Sequence, residues 1–222
     1  MDLPKFIWLL KHRRLYMSRL DKLVDPYEGS LTPKTIEGID LFLRQRGAKE
    51  GWGGMSKFYR QNQATTYVCC WHANKRESEA MWRLYCGQAH GVAIQTTYEH
   101  LIGAIATEYE TYLGFVKYID YEREWFPDAN AFHPVMHKRI AFEHEREVRL
   151  VTSPSRFRAS PPEPAPDALF LPWDSDARVE HVFVDPYAPE YFFEAIESVV
   201  DALAPYLKGR LIWSQIKVAP VF

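Results

Sequence analysis

The sequence predicts an α+β domain with a mixed, partly split β-sheet flanked by helices. Three observations predict it. Short β-branched and aromatic runs, such as Thr65–Trp71 and Gly91–Thr97, alternate with helix-forming runs, such as Glu77–Tyr85 and Tyr98–Ala106. The last part of the chain reads strand, amphipathic helix, strand, and a helical crossover suits parallel pairing. The 222 residues fit one domain over 1–222 and can bury a sizeable core.

Taken in order, Pro4–His12 reads as a helix, with Pro4 in its first turn and Phe6, Leu9 and Leu10 at helical spacing. Leu15–Ser18 reads as a short strand. Asp21, Asp25 and Glu28 follow within eight residues, around the turn that Asp25-Pro26 and Gly29 mark. Their spacing fits no known metal loop and suits turns and caps. Thr32-Pro33 is a cap followed by Pro at the first position, and predicts a helix to Arg46. Gly47–Gly54 breaks the chain but lacks the Lys-Ser/Thr ending of a phosphate loop. Met55–Gln63 is helical.

The run Tyr67–Tyr85 passes from strand to helix through a polar turn, His72–Arg76. Trp71, His72, Glu77 and Trp82 crowd this corner, which is either an aromatic piece of core or the lining of a pocket. Thr97 is placed to cap the helix at Tyr98. Tyr112–Tyr121 alternates as one strand. His133–Glu143 reads as a helix carrying Lys138 and Arg139. If the next run is extended, Glu145, Glu147 and Arg149 share one face. That face is either a salt-bridge ladder or a cleft wall whose Glu polarises a substrate hydroxyl. Pro154–Asp167 is a Pro-rich internal loop. Ala168–Pro172 and Val179–Val184 are strands, Pro189–Leu203 an amphipathic helix and Leu211–Val218 a closing strand.

Composition narrows the function classes. Apolar residues make up 47% and charged residues 25%, as in a globular protein, while an aromatic share of 15% favours a packed core or an aromatic cleft. A net charge of -2 gives no global pull towards nucleic acid or membrane. Cys69, Cys70 and Cys86 lack metal-ligand spacing and suggest a reduced, cytoplasmic protein. Cys70 and His72 share a strand face, but the sequence shows no acidic third member for nucleophilic catalysis. No metal site is expected.

Six runs together resemble the DUF2971 family of bacterial proteins: Leu15–Ser30, Cys70–Tyr85, Gly91–Thr97, Val116–Glu122, His137–Val151 and Val182–Phe192. They span most of the chain in the family's order. The family in turn resembles, remotely, the ADP-ribosyltransferase fold. That resemblance implies NAD as cofactor, with Glu145 or Glu147 as the late catalytic Glu. It assigns Pro4–His12 and Leu15–Ser18 to the opening helix and strand. Ser18, Tyr16, Trp71, His72, Trp82 and Arg149 would line the cofactor site. It also implies a Trp-Arg-Tyr-like strand ahead of the residues matching Met1-Asp2. The sequence given begins after that strand, so cofactor capture would pass to Arg149, Lys138 or Arg139.

Three functions follow as expectations. The first is an NAD-dependent ADP-ribosyltransferase-like toxin or phage-defence effector, modifying a protein or nucleic acid. The second is a non-enzymatic module, antitoxin-like, sensor or scaffold, with a partner protein. The third is a metal-dependent nuclease or phosphodiesterase using Asp21, Asp25, Glu28, Glu145 and Glu147.

Overall fold

Asp2 starts the first helix. Its carboxylate accepts the Lys5 N–H at 2.9 Å, Pro4 follows in the first turn, and Arg13 ends the helix in the left-handed region at φ 49°. Phe6, Leu9 and Leu10 on one stripe are buried, as their spacing predicts. The structure, a computed structural model, describes residues 1–87, 90–103, 109–127, 130–154 and 165–217.

In chain order the elements are α1 (Leu3–His12), β1 (Arg14–Arg19), α2 (Pro33–Gln45), α3 (Trp52–Thr65), β2 (Tyr67–His72), α4 (Glu79–Cys86), β3 (Val92–Gln95), α5 (Tyr98–Gly103), β4 (Thr111–Phe115), β5 (Lys117–Ile119), α6 (His133–Met136), β6 (His137–Arg139), β7 (Glu147–Thr152), β8 (Ala168–Pro172), α7 (Ser175–Arg178), β9 (His181–Val184), α8 (Glu190–Leu203) and β10 (Leu211–Trp213). Helices and strands of both pairing senses make this a mixed α and β protein, with the strands among the described residues divided among three sheets. No helix among the described residues is long and apolar enough to cross a membrane.

The chain forms two compact units. One comprises Met1–Tyr16, Asn74–Thr107 and Phe170–Phe222. Its sheet has the order β10-β9-β3. β9 and β10 pair in parallel, with Val182 opposite Leu211, and α8 is the crossover between them, as expected. α1 packs on α8. Val92, Val182, Val184, Ile196 and Val200 are buried here. Thr97 caps α5 by accepting the His100 N–H at 3.1 Å. The closing strand ends at Trp213, before the predicted Val218, which lies outside the described residues.

The other unit comprises Met17–Ala73 and Glu108–Leu169. Its antiparallel sheet includes the strand run β4-β7-β2-β1. Thr32 caps α2, and α2 packs with α3 over Leu31, Tyr59, Ile119, Tyr121 and Phe126. Leu20, Val68, Val135 and Val151 form a second cluster, covered by Leu23, Phe132 and Met136.

Three expectations need correction here. The single strand Tyr112–Tyr121 is two strands in different sheets. The Val116 N–H closes on the Glu147 carbonyl at 2.9 Å, and the chain then turns to pair Lys117–Ile119 in parallel with His137–Arg139. That pairing also cuts the predicted helix His133–Glu143 to four residues, tertiary pairing overriding helix propensity. Glu145 is not on a strand. It ends a 3-10 turn over Ile140–Glu145, and Arg146 at φ 41° separates it from β7. The predicted loop Pro154–Asp167 lies mostly outside the described residues.

Candidate functional site

The registers of β1, β2 and β7 decide which side chains meet. Ser18 lies opposite Val68, Val68 opposite Val151, Cys70 opposite Arg149, and His72 opposite Glu147. Alternation then puts Ser18, Cys70, His72, Glu147 and Arg149 on one sheet face. Trp71 pairs with Val148, one position out of phase, and belongs to the opposite face. This corrects the expectation that the Trp71 ring and the Glu147 carboxylate line one hollow.

On the shared face, charges are buried in a closed network. Arg149 is 0% exposed. Its Nη1 donates to Glu28 Oε2 at 3.0 Å and to the Val135 carbonyl at 2.6 Å, and its Nη2 donates to Glu147 Oε2 at 2.5 Å. Lys138 Nζ stands 2.5 Å from Glu145, 3.2 Å from Glu28 and 3.9 Å from Glu147. Burial works against both cations. The carboxylates around them outweigh it and hold both above their ordinary pKa values. Glu28, Glu145 and Glu147 bring three formal negative charges and Lys138 and Arg149 two positive, leaving the cluster one negative. Beside it, Arg139 grips Asp25 with two bonds, at 2.8 and 3.3 Å, under the Tyr27 ring. Asp25 also holds its own turn by accepting the Tyr27 N–H at 3.1 Å, the role its loop predicts.

Two groups border the network. His72 Nδ1 is 2.6 Å from the Glu145 carbonyl, so that nitrogen is the donor, and Nε2 is left buried with no partner among the described residues. Cys70 keeps solvent access on one side while protein crowds the other. That crowding pushes the thiol well up and keeps it protonated, with Arg149 pulling the other way and the Glu147 carboxylate adding to the rise. Tyr118 Oη accepts the Glu147 N–H at 2.8 Å and fixes the start of β7.

The remaining predicted residues stand apart from this network. Ser18 shares the face, but its hydroxyl donates to the Arg19 carbonyl at 3.3 Å. Trp71 is half-buried and lies with Cys69 on the other face. Tyr16 and Trp82 belong to the other unit. Tyr16 is 54% exposed, with its ring edge-on to Phe170. Trp82 is buried, and its Nε1 donates to Glu77 at 3.1 Å, the core-corner alternative for that stretch. Glu28 and Lys138 are the network members that strand patterning did not single out. The only signal was composition: a carboxylate-rich loop and an adjacent Lys-Arg pair, Lys138-Arg139.

The cations expected to capture the cofactor, Arg149, Lys138 and Arg139, are all already held by carboxylates, the first two in a cluster that is formally negative. This donor set does not fit NAD. Among the described residues, no three His, Cys, Asp or Glu side chains are grouped to hold a metal ion. No family model matches this chain, and neither a curated protein nor a solved structure matches it significantly.

Proposed function

We propose that this chain is a non-enzymatic binding module, a sensor or scaffold related to the DUF2971 proteins. One observation carries the reading: the carboxylates of the expected catalytic face are engaged within the chain itself. Glu147 is held by Arg149, Glu145 by Lys138 and Glu28 by both, and all three are at least nine-tenths buried. A carboxylate that stabilises a developing sugar cation must face that cation. These face cations of their own fold, in the geometry of a structural cross-link.

One arrangement favours a second reading, ADP-ribosyltransferase-like nucleotide handling. Ser18, His72, Glu147 and Arg149 share a face, and the helix-then-strand order of α1 and β1 is the opening that the resemblance implies. The two readings separate in one experiment. The purified chain is incubated with labelled NAD and a cell lysate, beside a Glu147→Gln variant checked for folding by circular dichroism. The binding-module reading expects no nicotinamide release, no label transfer and an effect of Glu147→Gln on stability alone. Nicotinamide released by the wild type and lost in the folded variant overturns it in favour of the enzyme.

A further inference from the structure

Two surfaces of this chain are complementary in charge. The first is the tip of the α2–α3 hairpin. Residues 33–66 carry six Lys or Arg against three Asp or Glu, a net of +3 in a chain whose net is -2. Arg44 is held by Asp40, and Arg46 lies over the Phe42 ring. Lys49, Lys57 and Arg60 are exposed and take part in no ion pair among the described residues. At the tip is an open cavity of about 340 Å³, with Leu43, Ala48, Gly51 and Met55 in its lining and Lys49 and Glu50 on its rim. Gly51 is required by the turn that leads into α3, where the Asp40 carboxylate accepts the Trp52 N–H at 2.7 Å. Its φ is +53°, and a Cβ there would strike the Asp40 carboxylate. Phe58, three residues after Met55 and 52% exposed, extends the apolar stripe.

The second surface is α8. Glu190, Glu194, Glu197 and Asp201 recur at helical spacing on one exposed stripe, and no Lys or Arg falls within 190–203. Lys208 pairs with Asp201 at 2.8 Å and leaves the other three. Beside the stripe, Tyr191 is 70% exposed.

We propose that the α2–α3 tip of one molecule receives α8 of a second copy, with Tyr191 seated in the apolar cavity and Glu194 and Glu197 facing Lys49 and Lys57. The cavity is at the small end of ligand pockets, which suits one aromatic side chain better than a cofactor. The rim Glu50 opposes the contact and the hairpin's net charge outweighs it. Two hairpin tips repel each other, as do two α8 stripes, so the contact joins unlike surfaces and grows into a ring or an open chain. A helix of this length spans roughly 21 Å. The interface is therefore small and the association weak, concentration-dependent and screened by salt. This proposal involves surfaces distinct from the charged sheet face and holds under either functional reading.

Sedimentation velocity on the full chain tests it, over a concentration series at low and high salt. The expected result is a mass that rises with concentration at low salt and returns to monomer at high salt. Glu194→Lys with Glu197→Lys abolishes the rise, as does Lys49→Glu with Lys57→Glu, and mixing the two variants restores association through the native pairing in one direction and the charge-swapped pairing in the other. A chain that stays monomeric at every concentration in low salt overturns the proposal, as does association indifferent to charge reversal. A monomer that instead sediments with phosphatidylglycerol vesicles assigns the hairpin to an anionic membrane surface and overturns it too.

Discussion

Glu28 and Arg149 are 121 residues apart in sequence and 3.0 Å apart in space. The contact ties the turn after β1 to β7, an interior strand of the antiparallel sheet, and both side chains are buried. Removing one partner of such a pair leaves the other charge stranded, which costs about 3–5 kcal/mol. Glu28→Gln, however, leaves Arg149 with Glu147 and Lys138 with Glu145, so no charge is stranded and the loss should be smaller, about 1–3 kcal/mol from the weakened buried hydrogen bonds. Urea denaturation followed by circular dichroism reads the loss, and a midpoint within error of wild type would show that Glu28 has no such role.

The residue after Glu28 holds its turn in the left-handed region. Gly29 has φ +73°, and a Cβ there would lie 2.5 Å from the end of the Leu20 side chain. Gly29→Ala is expected to cost about 1–3 kcal/mol through backbone strain. Because Gly29 and Glu28 are neighbours in one turn, the double variant Gly29→Ala with Glu28→Gln should lose less than the sum of the singles. Strict additivity in the same denaturation series would separate the turn from the network.

Stability should fall at both ends of the pH scale, for different reasons. On the alkaline side, burial raises the Tyr121 phenol, with Glu28 and Asp25 adding to it, and Lys138 is raised by its carboxylates against burial. Groups whose folded pKa lies above the unfolded value stabilise fully below the unfolded pKa, about 10 for both types, and lose that contribution as pH rises through the folded value. On the acid side, burial lowers His137. Its contribution is present above the unfolded value of about 6.5 and is lost as pH falls through the folded one. Melting temperature against pH should therefore decline above about pH 10, and the acid-side decline should be shallower in His137→Gln. An unchanged acid slope in that variant removes His137 from the account.

Local chemistry made much of the fold legible. Asp2 with Pro4, and Thr32 with Pro33, announced two helix starts, and both caps are in place. The β9–α8–β10 unit followed from a helix too apolar on one side to stand alone. The charged face was legible only in part. Strand alternation correctly paired Glu147 with Arg149, because that contact is two residues long. The same rule, read across the β2–β7 register, removes Trp71 from that face, but the register itself is invisible in one strand's sequence. Glu28 and Lys138 left no periodic signal, since a contact closed over a hundred residues has no local spacing. Arg146 in the left-handed region was equally hidden, and it alone takes Glu145 off the strand.

Cys70 offers a chemical readout of the network that needs no ligand. It is exposed, yet crowding and the Glu147 carboxylate keep its thiol well above the usual range. The thiolate is the reactive form, so alkylation by iodoacetamide at neutral pH should be slower at Cys70 than at an unperturbed exposed cysteine. Glu147→Gln removes a carboxylate and leaves the Arg149 guanidinium less compensated beside the sulfur. Both changes favour the thiolate, and Cys70 should then alkylate several-fold faster. Cys86, which belongs to the other unit, serves as the internal control: its rate should not change unless the variant has partly unfolded. Mass spectrometry of the two peptides gives both rates from one digest, and a Cys70 rate unmoved by Glu147→Gln, with Cys86 constant, would detach the thiol from the charged face.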